Sequence, residues 1–216
     1  MNKKFLIPSL TLLLVLAALL GLWLTRSDRS ASPSTAPDAG QPVVLALGDS
    51  LTEGFGAGPG EDYPSRLAAR TGLKIINGGV FGNTSAQALA RLPELLRQKP
   101  QLVLVAIGGN DFLRRLPLTE TRANITAIIA ACRAAGARVM LIAIPAPTLG
   151  AALGSPSDHP LYADIAATEK VPLLENLWSP ILGDSALKSD EIHANAAGYD
   201  RFAERLAEAL RRRKML

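Results

Sequence analysis

A glycine, an aspartate and a serine follow an apolar run at Gly48-Asp49-Ser50-Leu51. A serine hydroxyl is a poor nucleophile until a base takes its proton. The histidines are His159 and His193. His193 closes the stretch Asp190-Glu191-Ile192-His193, and a carboxylate at that spacing can reach the imidazole on one turn. It would fix the tautomer and stabilise the imidazolium that forms when the hydroxyl gives up its proton. His159, in Asp158-His159-Pro160, is the rival base, although its neighbours read as a loop leading into a helix. Acyl transfer to a serine also develops an oxyanion, which needs donors placed in advance at a water-poor site. Three are on offer: the N–H of Ser50, the N–H of Gly82 in Gly79-Val80-Phe81-Gly82-Asn83, and the side-chain amide of Asn110 in Gly108-Gly109-Asn110-Asp111.

Each piece has a plainer reading by itself. Gly, Asp and Ser all favour turns, an isolated Asn suits an Asx turn, and a histidine before a helix is unexceptional. What matters is where the pieces fall. Short apolar runs predict strands at Val43–Leu47, Leu73–Ile76, Leu102–Ile107, Arg138–Ile144 and Val171–Leu174. Continuous runs of that length suit strands buried on both faces of a parallel sheet. Helical periods occupy Asp62–Arg70, Thr84–Gln98, Thr119–Ala135, Pro160–Glu169 and Ala196–Arg213, with Pro93 expected to kink or restart the second. Strand and helix in alternation predict an α/β layered domain with right-handed crossovers. Active sites in such sheets lie at the carboxyl ends of the strands, and the Ser50, Gly82 and Asn110 blocks each come just after one.

The 216 residues suffice for one such domain and a tail, not for two full-sized domains. The net charge is +4, of which Lys3 and Lys4 supply two, so the remainder is only weakly basic. A nucleic-acid binder would carry a concentrated basic stripe. The one dense run, Arg211-Arg212-Arg213-Lys214, reads as the solvated end of the last helix. Cys132 falls on an apolar helix face with Ile125, Ile128 and Ile129, a position for a buried structural thiol. At the other end, Phe5 to Leu24 is uncharged and long enough to span a bilayer, without a convincing cleavage site after it. Residues 1–25 therefore read as an uncleaved anchor, 26–42 as a flexible linker rich in Ser, Ala and Pro, and 43–216 as the folded domain. A short basic N-terminus on the cytoplasmic side places the domain in the periplasm, held at the inner membrane.

These blocks resemble the SGNH/GDSL hydrolase family from Val43 to about Leu210. Gly48-Asp49-Ser50-Leu51, Asn77 through Gly82 and Asn83, Gly108-Gly109-Asn110-Asp111, and Asp190 with His193 match its four motifs. Asn83-Thr84-Ser85, Ala90-Arg91-Leu92-Pro93 and Val171-Pro172-Leu173-Leu174 are most similar to its small periplasmic arylesterase, acyl-thioesterase and lysophospholipase group. The resemblance implies a three-layer flavodoxin-like fold whose five-stranded parallel sheet has the order 2-1-3-4-5. It implies Ser50 as nucleophile, His193 as base, Asp190 as its orienter, and Ser50, Gly82 and Asn110 as the oxyanion hole, with Asp49, Gly109 and Asp111 in support. No metal or organic cofactor and no nucleic acid is implied. The expected substrate is a small acyl ester, thioester or lipid, and the expected state a monomer. Ala194 stands where many relatives have proline, which should loosen the turn after His193. The Gly- and Pro-rich stretch from Ala146 to Ser157 is expected to border the substrate site. Removal of O-acetyl groups from envelope carbohydrate, acyl transfer and a non-catalytic binding role remain alternatives at this stage.

Overall fold

The computed structural model describes residues 42–215. The anchor read at 1–25 and the linker read at 26–42 lie outside them, apart from Pro42. Among the described residues no helix is long and apolar enough to cross a membrane.

Five parallel strands form one sheet in the order β2-β1-β3-β4-β5. They are β1 (Val43–Gly48), β2 (Lys74–Gly79), β3 (Leu102–Ala106), β4 (Arg138–Ile142) and β5 (Leu173–Leu174). Every residue of β3 is buried, as a central strand covered on both faces requires. The sheet order is the expected one. The extents differ: β1 gains Gly48, β3 loses Ile107 and β4 loses Ala143 and Ile144. β2 runs on to Gly79 because Asn77-Gly78-Gly79, polar and glycine-rich in sequence, pairs with Ala46-Leu47-Gly48. β5 is cut to two residues, paired with Leu141 and Ile142 of β4.

The longer helices are α2 (Tyr63–Thr71), α3 (Ser85–Leu96), α5 (Leu118–Ala134), α7 (Leu161–Glu169) and α9 (Ala196–Arg212). Helices α2 and α9 pack together, while α3, α5 and α7 form a second group. Local chemistry starts them where the sequence says. Asp62 caps α2 by accepting the Ser65 N–H, and Thr84 opens α3 with a reciprocal capping box to Gln87. Helix α3 is a single helix through Pro93, not two segments. Pro93 falls in its last turn with three residues after it, so the helix runs past a residue that gives the Leu89 carbonyl no N–H. Five shorter pieces were not expected: α1 (Ser50–Glu53), α4 (Gly109–Leu113), α6 (Leu149–Ala152), α8 (Ser179–Leu182) and a 3₁₀ turn at Ser185–Leu187.

Ile125, Ile128, Ile129 and Cys132 make one fully buried stripe on α5. Each such aliphatic side chain contributes about 1.5–3 kcal/mol through burial. Trp178 stacks on Phe202 with centroids 3.8 Å apart, joining α9 to the segment after β5. Register carries the consequence for function. Gly48 lies opposite Gly79 on one side and Ala106 on the other. The chain therefore leaves three neighbouring strands at the same level, and the three motif-bearing loops start side by side.

That close arrangement depends on Gly79. A Cβ there would stand 2.1 Å from the Glu53 nitrogen and 2.6 Å from its Cα, both backbone atoms at the end of α1. Gly79→Ala should lower stability by about 3 kcal/mol through overpacking. Gly58→Ala, whose Cβ would meet only the Glu61 carboxylate within 4 Å, should change it little. Urea unfolding of both variants beside the parent checks the contrast.

Candidate active site

Ser50 follows β1 by one residue and is the first residue of α1. Its Oγ lies 2.9 Å from Nε2 of His193, and Nδ1 of the same ring lies 2.7 Å from Oδ2 of Asp190. An ionised carboxylate can only accept, so the ring proton sits on Nδ1 and Nε2 is left to accept from the Ser50 hydroxyl. The other oxygen of Asp190 accepts the N–H groups of Ile192 (2.9 Å) and His193 (2.8 Å). Burial alone would raise the Asp190 carboxyl. The Ile192 N–H, the His193 ring and the His193 N–H outweigh it, and the group titrates below the usual carboxylate range.

The turn after His193 is held at several points. The Ser189 N–H donates to the His193 carbonyl (3.0 Å), and its hydroxyl donates to the Ala194 carbonyl (3.2 Å). Asn195 caps α9 by accepting the Gly198 N–H. Ala194 is fully buried in this turn, and these bonds supply the restraint that a proline would have.

Gly82 has φ of +72°, in the left-handed region that glycine adopts without strain. Among the described residues neither its N–H nor that of Ser50 has a protein acceptor. Asn110 is the third donor expected from the sequence, and its Nδ2 is already engaged. It donates to the Asn83 carbonyl at 3.0 Å and, more weakly, to Asp49 Oδ2 at 3.4 Å. Asp49 also takes the Leu51 N–H on Oδ1, fixing the bend from β1 into α1. Gly109 lines the same cleft close to Asp49 and Ile144, where a Cβ would come within 3.4 Å of both. Asp111 does not line the cleft. It is buried behind it, where Oδ2 accepts the Ser85 N–H at 2.8 Å and so joins α4 to the start of α3.

The cleft has a volume of about 140 Å³ and is mainly apolar. Ile144 and the following stretch supply one wall through Pro145, Ala146, Pro147, Ala151 and Pro156, so the Gly- and Pro-rich segment does border the cleft, with α6 inside it. Phe81, Leu113 and Ile192 line other parts.

His159 is not part of this arrangement. Its Nδ1 accepts the Leu161 N–H at 3.1 Å, its ring stacks on Phe112 at 4.2 Å, and burial lowers its pKa. Cys132 is buried, with its thiol pushed up to about 12 by that burial.

Three contributors went unread in the sequence. Arg91 donates from Nε to Asn83 Oδ1 and from Nη2 to the Gly48 carbonyl, each at 2.7 Å, clamping the loop after β1 to the loop after β2. Arg114 donates to the Gly82 carbonyl at 2.8 Å. Phe55 packs on His193 with centroids 4.6 Å apart. Arg91 stands in the Ala90-Arg91-Leu92-Pro93 stretch that resembles the family, but its partners could not be read from it.

A family model described as the GDSL-like Lipase/Acylhydrolase family matches residues 46–201. The chain is 30% identical over 176 residues to the esterase TesA of Pseudomonas aeruginosa, covering 78% of this chain and 88% of the relative. It is 32% identical over 172 residues to thioesterase 1/protease 1/lysophospholipase L1 of Escherichia coli, covering 78% and 83%. Among solved structures, the psychrotrophic esterase EstA from Pseudoalteromonas sp., inhibited by monoethylphosphonate, matches with a TM-score of 0.71 at 26% identity over 82% of this chain and 100% of that one.

Asp49 gives the site a pH signature. Burial pushes its carboxyl up to about 7 against the pull of the Leu51 N–H, with the Asp111 charge adding to the rise and the Asn110 amide opposing it. In the unfolded chain the same group ionises at about 4. Its burial therefore costs stability increasingly from about pH 4 to about pH 7, and by a constant amount above that. Asp49→Asn keeps an acceptor for Leu51 and removes the charge. It should raise the melting temperature over the parent at about pH 8 and lose that advantage at about pH 4, as thermal melts at the two pH values would show.

Proposed function

The chain belongs to the GDSL-like lipase/acylhydrolase family, and from that membership we propose that it is a serine esterase cleaving carboxylic esters or thioesters through an acyl-Ser50 intermediate. The observation that carries the reading is the chain of two short hydrogen bonds, Ser50 Oγ to His193 Nε2 at 2.9 Å and His193 Nδ1 to Asp190 at 2.7 Å.

Ser50 Oγ attacks the carbonyl carbon while Nε2 of His193 takes the hydroxyl proton. Asp190 holds the ring in the reactive tautomer and stabilises the imidazolium. The carbonyl oxygen becomes an oxyanion held by the N–H groups of Ser50 and Gly82, which have no acceptor among the described residues. Asn110 joins them by giving up its weaker bond, the one to Asp49 at 3.4 Å. Collapse of the tetrahedral adduct breaks the bond to the leaving oxygen or sulfur, and the imidazolium returns the proton to that atom. Water then attacks the acyl-serine with His193 again as base, releasing the acid and restoring the Ser50 hydroxyl.

The substrates proposed are aryl and acyl esters, acyl thioesters and lysophospholipids. A volume of about 140 Å³ favours the shorter acyl groups. The setting proposed is the inner membrane with the domain facing the periplasm, supported by the apolar stretch Phe5 to Leu24 behind Lys3 and Lys4. The working unit proposed is a monomer, since every group in the mechanism comes from one chain.

Hydrolysis of p-nitrophenyl acetate, butyrate, octanoate and palmitate by the full chain tests the reading. Ser50→Ala and His193→Ala should each lower kcat by roughly 10⁴-fold, and butyrate should exceed palmitate in kcat/KM. Equal activity in parent and Ser50→Ala would remove Ser50 from the role given to it.

A further inference from the structure

Phe55 and Phe81 are unusual aromatics for this molecule: they are 46% and 54% exposed while lying beside the buried imidazole of His193. Their ring centroids are 4.8 Å apart at an interplanar angle of 50°. Both face the imidazole of His193, Phe55 at 4.6 Å and Phe81 at 6.1 Å and nearly parallel. We propose that Phe55 and Phe81 form a leaving-group subsite that selects esters and thioesters of aromatic alcohols and thiols. The proposal rests on the esterase reading above and adds to it which part of the substrate this wall recognises.

The assignment of sides follows from the chemistry. The imidazolium of His193 must return its proton to the leaving atom, so that atom departs within hydrogen-bond reach of Nε2. Whatever flanks the imidazole flanks the leaving group. The sheet order separates this wall from the other one. Phe81 follows β2, next to β1 on one side, whereas Ile144 to Pro147 follow β4, beyond β3 on the other. Ser50, at the end of β1, lies between them. The β4 wall is aliphatic and rich in proline, suited to an acyl chain. The β2 wall is aromatic.

The rings are also held in advance. The Phe55 N–H donates to the Ser50 carbonyl at 3.1 Å, and the Phe55 carbonyl accepts from the Tyr199 hydroxyl at 2.7 Å. Phe81 sits between Val80, whose N–H donates to the Gly48 carbonyl at 3.3 Å, and Gly82, whose carbonyl is held by Arg114. A tilted pair of rings on fixed backbone offers one face and one edge to a third ring, an arrangement that aromatic partners favour beyond simple burial. Ile192, 43% exposed, lines the cleft together with Phe81, and Phe55 backs Phe81.

The test compares 2-naphthyl acetate with the acetate of an aliphatic fluoroalcohol of matched acidity, using the full chain. The acyl group and the chemical driving force are then the same. The aryl-to-alkyl ratio of kcat/KM should fall about tenfold in Phe81→Leu and in Phe55→Leu, mostly through KM, since stacking is worth about that factor. Phe81→Tyr, which keeps a ring, should hold the ratio. Binding of 2-naphthol to Ser50→Ala, followed by its own fluorescence, should weaken in step when Phe81→Leu is added. A ratio unchanged in Phe81→Leu, or both esters losing equally, would overturn the subsite and leave Phe81 as a general apolar rim. Failure of the parent to hydrolyse either ester would strike the esterase reading instead, while the 2-naphthol binding would still report on the subsite.

Discussion

A neutral imidazole can offer a bare nitrogen to a hydroxyl only if its other nitrogen keeps the proton. The 2.7 Å contact between Asp190 and Nδ1 of His193 imposes that choice, and the rest of the site is arranged around it. The same carboxylate takes two backbone N–H groups of its own loop, so the aspartate that sets the tautomer also shapes the turn that presents the ring. Fixing one residue thereby fixes the direction in which Nε2 points. Ser50 must then meet it from a different part of the chain, 143 residues away. The register of the sheet sets Ser50 level with the ends of β2 and β3, and the turn that leads into α9 brings His193 to it.

The loops at that level are also tied to one another. Arg91 bridges the Gly48 carbonyl and the Asn83 side chain, Asn110 reaches the Asn83 carbonyl, and Arg114 holds Gly82. Such bonds keep donors in place before any substrate arrives, which is what electrostatic stabilisation of an oxyanion needs. Asp49 is the cost of the arrangement. Its carboxyl is buried beside Ser50 with few donors to compensate, and it competes for the Asn110 amide. A charge placed there lowers stability and, in the proposed mechanism, gives Asn110 a resting partner that the oxyanion displaces.

Much of this was legible in the sequence, for reasons that differ by element. Strands buried on both faces must be apolar throughout, so β1, β3 and β4 announce themselves. The end of β2 does not, because Asn77-Gly78-Gly79 has turn composition and is a strand only through its pairing with β1. The pieces α1, α4, α6 and α8 are too short to show a helical period. Ser50, Asp190 and His193, which the structure brings together, could be picked out because the chain has only two histidines and one of them closes an Asp-x-x-His turn. The roles of Arg91, Arg114 and Phe55 could not. They act through backbone carbonyls and ring packing, and an arginine or an aromatic on a surface helix or loop has many ordinary reasons to be there. Pro93 is the opposite lesson: a residue with a strong local rule that the helix nonetheless runs through.

The central claim is that Ser50 carries the acyl group. The direct measurement is intact-protein and peptide mass spectrometry after brief exposure of the full chain to a p-nitrophenyl alkylphosphonate, which leaves a stable adduct on an activated serine. The account predicts one adduct per chain, located on Ser50, formed with stoichiometric release of p-nitrophenol, and lost in His193→Ala. An adduct on another residue, or equal labelling of Ser50 when His193 is absent, would contradict it.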